Sequence, residues 1–206
     1  MANKFSLKIF KYRSYTPIPF IILMIMYTEP NIYSLIGGFA MALLGELIRL
    51  WGVSWAGSET RTTGGVGGTF LVISGPFGHV RNPLYVGNIL MYVGIGIMAN
   101  ALCPYLPILA FFFFVWQYVT IVGEEEAYLK TAFGESYAEY CKNVPPFIPR
   151  ISSYRNAGVG QPEFDLKAGL RSERRTLQAF SIITLTVFLL WFFRIMPIKL
   201  LSNLPK

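Results

Sequence analysis

Five apolar runs constrain the fold of this chain more than any other feature. They cover approximately residues 17–27, 32–56, 84–98, 102–122 and 177–196. Only 14% of the 206 residues are charged, whereas 53% are hydrophobic, and a soluble domain usually contains about a quarter charged residues. Because a helix needs roughly 20 apolar residues to cross a bilayer, the runs predict an all-α, polytopic membrane helical bundle with about five transmembrane helices.

The first and third runs are short for spanning helices. A polar break, Glu29-Pro30-Asn31, follows the first run. Either the short helices cross with little tilt, or the first two runs form a hairpin around this break. The first run contains prolines and has no convincing small-residue cleavage site, so we expect it to be retained as an anchor rather than cleaved as a signal peptide.

The positions of the basic residues predict the orientation. If each run crosses once, the N-terminal arm, the 57–83 loop and the 123–176 segment share one side, and the other side is nearly uncharged around Ala99–Ala101. The positive-inside bias then places the three basic regions in the cytoplasm. It also accounts for the net charge of +7 without a nucleic-acid partner, since no nucleic-acid motif is present. The basic residues concerned are Lys4, Lys8, Lys11, Arg13, Arg61, Arg81, Lys130, Lys142, Arg150, Arg155, Lys167, Arg171, Arg174 and Arg175.

These patterns divide the chain into four parts. We expect a basic cytoplasmic arm at 1–16, a membrane domain at 17–150, a polar cytoplasmic connector at 151–176, and an additional C-terminal transmembrane helix with its tail at 177–206.

Two cytoplasmic segments have their own patterns. Residues 57–74 are rich in glycine and threonine and predict an irregular loop, without the Gly-Lys-Ser/Thr of a nucleotide P-loop. Residues 124–141 predict an amphipathic cytoplasmic helix, which the prolines at 145, 146 and 149 end. Its apolar positions are Ala127, Leu129, Phe133, Tyr137 and Tyr140.

Few side chains suggest a metal site or a buried reaction centre. The single histidine, His79, and the separated Cys103 and Cys141 predict neither a metal site nor a disulfide. Glu46 and Arg49 lie three apart within the second run. Ionisable residues at membrane depth are candidates for function, but a neutralised pair that packs the helix explains them better.

A polar cluster, Arg81-Asn82-Pro83-Leu84-Tyr85, stands at the start of the third run. Proline suits a first helical turn, the free amides there favour an anion, and arginine adds a charge that holds a carboxylate or phosphate. The alternative is a helix start with a basic anchor at the lipid headgroups.

A second polar cluster, Glu124-Glu125-Glu126, follows the fourth run directly. These carboxylates would attract a cation or ribose hydroxyls, or they simply begin a solvated helix, where acidic residues suit the helix dipole. Because both polar clusters fall on one side in the predicted topology, we expect a polar pocket at the lipid boundary. Gly94 and Gly96, in the third run, favour close helix packing, and the alternative is room for a ligand.

Four motifs resemble the isoprenylcysteine carboxyl methyltransferases and the related phospholipid methyltransferases, over about residues 33 to 150. They are Gly75-Pro76-Phe77, Val80-Arg81-Asn82-Pro83-Leu84-Tyr85-Val86-Gly87, Glu125-Glu126-x-x-Leu129-x-x-x-Phe133-Gly134-x-x-Tyr137-x-x-Tyr140 and Val144-Pro145-x-x-Ile148-Pro149. The resemblance implies an integral membrane enzyme that uses S-adenosylmethionine and acts on a membrane lipid or a lipidated molecule.

The resemblance also implies which residues form the site. By position, the cofactor-binding residues are Arg81, Asn82, Pro83, Tyr85, Gly94, Gly96, Glu125 and Glu126, and the catalytic positions are Arg81, Glu125 and Glu126. Leu129 takes a packing position. The family has a histidine where this chain has Asn82, and asparagine does not act as a base near neutral pH.

Three functions follow from these features. The first is S-adenosylmethionine-dependent methyl transfer in a prokaryotic inner membrane, to a prenylcysteine-like carboxylate or to a headgroup amine. The second is an NADPH-dependent reductase, because membrane sterol reductases have a similar Arg-x-Pro-x-Tyr-x-Gly stretch. The third is a membrane scaffold without turnover. The sequence leaves the acceptor and the oligomeric state open.

Overall fold

The computed structural model describes residues 4–57 and 71–197. Within these residues the regular elements are helices, which confirms the all-α class, and a 3-10 turn at Gly75–Gly78 precedes the fourth helix. The helices are α1 (Lys4–Tyr12), α2 (Pro17–Met26), α3 (Ile32–Ala56), α4 (Pro83–Ala99), α5 (Tyr105–Asn143) and α6 (Leu166–Phe192).

Five of these helices correspond to the five apolar runs. By length and composition, α3, α5 and α6 are long and apolar enough to cross a membrane, whereas α2 and α4 are shorter apolar helices. Helix α3 has the predicted bounds because Asn31 caps it: the Asn31 Oδ1 atom accepts hydrogen bonds from the amides of Tyr33 and Ser34, both at 3.0 Å. The described helices therefore form a membrane helical bundle.

Helices α3 and α4 approach to backbone contact at two glycine pairs. A Cβ atom on Gly38 would overlap the backbone of Met98 and the carbonyl oxygen of Gly94. A Cβ atom on Gly45 would overlap the carbonyl oxygen of Gly87. Residue numbers rise along α3 as they fall along α4, so the two helices are antiparallel. Small residues allow this close packing inside a membrane.

The bundle has two ends, which we name after a residue at each. At the Glu29 end, the α2–α3 turn meets the α4–α5 turn, and the Glu29 amide donates to the Ala99 carbonyl at 3.0 Å. The Arg81 end contains the start of α4, the last turn of α3 and the start of α6. There the Asp165 amide donates to the Ser54 carbonyl at 2.9 Å.

Helix α5 joins the fourth apolar run to the predicted amphipathic helix at 124–141. The helix is interrupted within the predicted amphipathic segment, at Gly134, whose φ is 53° and ψ is −121°, a conformation that glycine adopts without steric cost. Beyond this kink the aromatic face packs against residues 71–73. Leu129 also packs there, as predicted.

Helix α6 begins at Leu166, inside the stretch predicted to be a polar connector. Asp165 caps it by accepting a hydrogen bond from the Ala168 amide at 3.0 Å. One helix therefore crosses the predicted boundary at residue 177. The preceding segment contacts the chain before α4: Gln161 Oε1 accepts from the Ile73 amide at 2.8 Å. Most of the predicted 57–74 loop lies outside the described residues.

Candidate functional site

The two polar clusters, which are distant in sequence, meet at the Arg81 end of the bundle. The Arg81 Nη2 atom lies 2.8 Å from Glu126 Oε1, and Arg81 Nε donates to the same oxygen at 3.0 Å. This contact joins the start of α4 to the part of α5 that follows its apolar stretch. The structure thus brings together the two clusters that the predicted topology placed on one side.

The residues around the start of α4 are anchored by the segment after α5. Pro83 occupies the first turn of α4, where its missing amide hydrogen costs no helical hydrogen bond. The Arg81 amide donates to the Pro145 carbonyl at 2.9 Å. The Asn82 side chain donates from Nδ2 to the Pro146 carbonyl at 3.1 Å. Asn82 therefore links two segments rather than capping α4 with its side chain.

The Arg81 guanidinium has internal partners besides Glu126. Its Nη1 atom donates to the Cys141 carbonyl at 3.1 Å and to the Val144 carbonyl at 2.9 Å. These carbonyls lie at the C-terminal end of α5, where a cation is favoured by the helix dipole. In the structure Arg81 fixes Glu126 and the end of α5, and its contact with a ligand anion stays a prediction.

Tyr85 and Glu125 form a second pair one turn away. The Tyr85 hydroxyl donates to Glu125 Oε1 at 2.7 Å, and the Tyr85 ring stacks on Tyr118 with 4.6 Å between ring centroids. Burial raises the pKa of Glu125, which lies beyond the apolar part of α5, while the Tyr85 hydrogen bond and the charge of Arg13 lower it. The result is a partly buried carboxylate whose position is fixed by an aromatic stack.

The two predicted cofactor-binding glycines lie deeper in the bundle. A Cβ atom on Gly94 would meet the Ala42 amide and the Gly38 carbonyl of α3. A Cβ atom on Gly96 would meet the Met24 side chain of α2, at 3.0 Å. The structure therefore gives both glycines a packing role, and their contact with a cofactor stays a prediction.

His79 is held away from the start of α4 by the segment that follows α5. Its Nδ1 atom makes a hydrogen bond to the Arg150 carbonyl at 2.9 Å. The Arg150 amide in turn donates to the His79 carbonyl at 2.9 Å. Both contacts give His79 a structural role, and neither involves the side chain of Asn82.

A second arginine–glutamate cluster, the Arg49 cluster, was only partly predicted. Arg49 Nη2 lies 2.7 Å from Glu173 Oε2 of α6, and Arg49 Nη1 donates to Asn88 Oδ1 at 2.6 Å. Glu46 is more distant, at 3.7 Å from Arg49 Nε. The expected Glu46–Arg49 pair is therefore secondary to Arg49–Glu173. The sequence signal that could have indicated the Arg49–Glu173 pair was that Glu173 is the one acidic residue in the basic stretch 167–175.

These features define the class of the protein: a helical membrane protein with a glutamate–arginine–tyrosine site at one end of its bundle. Residues 33–136, just over half of the chain, match the phospholipid methyltransferase family. The chain belongs to the phospholipid methyltransferase family. This confirms the resemblance that the motifs indicated.

Individual relatives are similar over somewhat more than half of the chain. The cobalt-zinc-cadmium resistance protein CzcN of Cupriavidus metallidurans is 36% identical over 118 residues, which cover 57% of this chain and 49% of that protein. Protein-S-isoprenylcysteine O-methyltransferase B of Arabidopsis thaliana is 31% identical over 119 residues, which cover 56% and 59%.

The human protein-S-isoprenylcysteine O-methyltransferase is 30% identical over 131 residues, which cover 57% of this chain and 42% of that protein. The chain thus spans about half the length of the curated relatives it matches. No solved structure matches the chain.

Proposed function

We propose that this chain transfers a methyl group from S-adenosylmethionine to a lipid or lipidated acceptor at the membrane boundary. The observation that carries the proposal is the meeting of two pairs, Arg81–Glu126 and Tyr85–Glu125, between α4 and α5 at one end of the bundle. Family membership and the isoprenylcysteine methyltransferase relatives support it.

The charges of the site suit a cationic cofactor. Glu125 and Glu126 provide two carboxylates, whereas Arg81 neutralises only Glu126 at ion-pair distance. When bound, S-adenosylmethionine supplies an electrophilic methyl group on a positively charged sulfur. The residues proposed to hold it are Arg81, Asn82, Pro83, Tyr85, Gly94, Gly96, Glu125 and Glu126.

The chain contributes mainly orientation to this reaction. Tyr85 fixes Glu125 by its hydrogen bond, and Arg81 fixes Glu126 while holding the end of α5. Well-oriented reactants can lower a barrier by on the order of 7–11 kcal/mol. Water exclusion at the lipid boundary strengthens the electrostatic interactions among these groups.

The acceptor decides whether a base is needed. A prenylcysteine-like carboxylate attacks without losing a proton. A headgroup amine must lose one, and Glu125 or Glu126 would accept it. Burial raises the pKa of Glu125, which favours proton acceptance by this carboxylate. Two acceptor classes therefore remain candidates, and the site chemistry fits both.

We place the site at the cytoplasmic face of a prokaryotic inner membrane. The described basic residues of 123–176 and Arg81 precede or follow membrane helices at the Arg81 end, where the positive-inside bias expects the cytoplasm. The cofactor would then enter from the cytoplasm. A lipid tail would enter sideways from the bilayer.

The first test identifies the reaction product. The purified protein is incubated with methyl-labelled S-adenosylmethionine and a total lipid extract, and labelled products are identified by mass spectrometry. We expect one labelled lipid class. Absence of any labelled product, with extracts from several bacteria, would refute the proposed transfer.

The second test measures cofactor binding by calorimetry. S-adenosylmethionine should bind the wild-type protein saturably and bind Glu125→Gln at least tenfold more weakly, because a charge-assisted contact contributes about 1.5–3 kcal/mol. Glu139→Gln, an exposed acid on the same helix, is the matched control and should bind normally. Saturable binding of NADPH instead would support the reductase, and binding of neither would support a scaffold.

A further inference from the structure

Arg13 lies in the turn between α1 and α2, outside the stretch that matches the family. Its guanidinium lies over the ring of Phe10, with 3.7 Å from Cζ to the ring centroid. Its Nη1 atom donates to the Phe10 carbonyl at 3.1 Å. Phe10 itself packs against the buried core. These contacts fix the orientation of a charge that would otherwise sit on a flexible side chain.

This fixed charge lies at the Arg81 end of the bundle, because Arg13 precedes α2, and α2 leads to the Glu29 end. Helix α1 packs against α5, and Phe10 and Tyr85 border the same buried cluster. The charge of Arg13 also lowers the pKa of Glu125, against the effect of burial. Arg13 is therefore close enough to Glu125 for their charges to interact, although no ion pair joins them among the described residues.

Most hydrogen-bonding capacity of Arg13 is unused within the described part of the chain. A guanidinium has five N–H donors, and the one hydrogen bond described for Arg13 goes to the Phe10 carbonyl. Arg81 differs, because its donors go to Glu126 and two helix-end carbonyls. The planar donor fork of an arginine matches a carboxylate.

We propose that Arg13 binds the carboxylate of a ligand next to the Tyr85–Glu125 pair. This inference rests on the proposed function, whose two reactants each offer a carboxylate: S-adenosylmethionine, and a prenylcysteine-like acceptor. Arg13 would hold that group on the α1 side of the site, while Glu125 and Glu126 lie on the α5 side. The N-terminal arm thereby becomes part of the binding site.

Calorimetry on the full chain in detergent tests this proposal. Four probes are used: S-adenosylmethionine, decarboxylated S-adenosylmethionine, N-acetyl-S-farnesylcysteine and its carboxamide. Arg13→Gln should weaken one of the two carboxylate-bearing probes about tenfold or more and leave its carboxylate-free partner unchanged. The affected pair identifies whether the cofactor or the acceptor supplies the carboxylate.

Two further variants control for charge and for folding. Arg13→Lys keeps the positive charge but loses the planar donor fork of the guanidinium. It should therefore recover only part of the affinity that Arg13→Gln loses. Lys11→Gln removes an exposed charge from the same arm and should bind all four probes as the wild type does. Thermal unfolding checks that Arg13→Gln is folded.

The outcomes separate this inference from the proposed function. If the wild type binds S-adenosylmethionine and Arg13→Gln binds every probe equally well, the role of Arg13 is overturned and the function stands. Equal weakening of a probe and its carboxylate-free partner also overturns it. If the wild type binds no S-adenosylmethionine, the proposed function fails, and the inference fails with it.

Discussion

Within residues 4–57 and 71–197, an arginine meets glutamates at two places, and these places differ in what surrounds them. In the Arg49 cluster the closest glutamate, Glu173, exposes 2% of its side chain. At the Arg81 end the partner, Glu126, exposes 19%. Arg81 is also satisfied by helix-end carbonyls, whereas the Arg49 cluster joins three separate helices, α3, α4 and α6.

This difference in exposure and partners predicts different roles for the two clusters. An ion pair buried among helices contributes little net stability when intact. Removing one partner leaves the other as an unpaired buried charge, which is strongly destabilising. A pair at the bundle end is partly exposed and can bind a ligand without unfolding its helices. We therefore expect variants in the Arg49 cluster to change mainly stability and variants at the Arg81 end to change mainly binding.

The largest effect should come from removing Glu173. Glu173→Ala leaves the Arg49 guanidinium buried without its closest carboxylate, which should cost about 3–5 kcal/mol of unfolding free energy. Glu126→Ala should cost about 1 kcal/mol, because Arg81 keeps its carbonyl partners. Thermal unfolding in detergent compares the two variants. Equal losses would remove the proposed distinction between the clusters.

The next effect concerns Arg81. Arg81→Ala should weaken S-adenosylmethionine binding more than tenfold, because both Glu126 and the end of α5 lose their anchor, a difference of about 1.4 kcal/mol or more. Lys142→Ala removes an exposed charge near the same helix end and serves as the control. Calorimetry gives both affinities, and an unchanged affinity for Arg81→Ala would exclude this anchor from the site.

A smaller effect is the pH dependence of binding through Glu125. Because its pKa is raised by burial, affinity for the cationic cofactor should increase as pH rises through a range above the ordinary glutamate pKa and the carboxyl ionises. Tyr85→Phe removes a hydrogen bond that lowers this pKa, so its profile should shift to higher pH. Glu125→Gln should flatten the profile, and a wild-type profile that is flat would contradict this role.

The stability of the ligand-free protein should respond to pH with the opposite sign. A carboxyl whose pKa is higher in the folded state stabilises folding below its unfolded pKa, and that contribution is lost as pH rises through the folded pKa. Unfolding temperatures measured without ligand over the same pH range check this. Glu125→Gln, which has no such carboxyl, is the reference.

The smallest effect should come from Glu46. Neither of its carboxylate oxygens has a hydrogen-bond partner in the described part of the chain, and Arg49 already pairs with Glu173. Glu46→Gln should therefore change the unfolding free energy by no more than about 1 kcal/mol. Chemical unfolding measured beside Glu173→Gln tests the ranking. If Glu46→Gln lost more unfolding free energy than Glu173→Gln, Glu46 would be the main partner of Arg49.

Local sequence signals predicted those parts of the fold that depend on nearby residues. The apolar run 32–56 predicted α3, and Pro83 marked the first turn of α4. The topology also placed the two polar clusters on one side, and the Arg81–Glu126 contact agrees. These features follow from hydropathy and helix-end chemistry, which act over a few residues.

Features that depend on distant residues were not predictable in the same way. Glu173 lies among basic residues and resembles part of a solvated connector, yet it is buried against Arg49, 124 positions earlier. The kink at Gly134 and the position of Arg13 near Glu125 likewise depend on tertiary packing. No local spacing encodes such contacts, so neither the start of α6 nor the Arg49–Glu173 pair was predicted.

The glycine pairs between α3 and α4 limit where a lipid tail can enter the helical bundle. Where the two helix backbones are in direct contact, no gap between them is wide enough for a hydrocarbon tail. A lipid tail therefore cannot pass between α3 and α4 at the Gly38–Gly94 and Gly45–Gly87 contacts. Under the proposed function, a lipid tail that reaches Glu125 must therefore enter the bundle elsewhere.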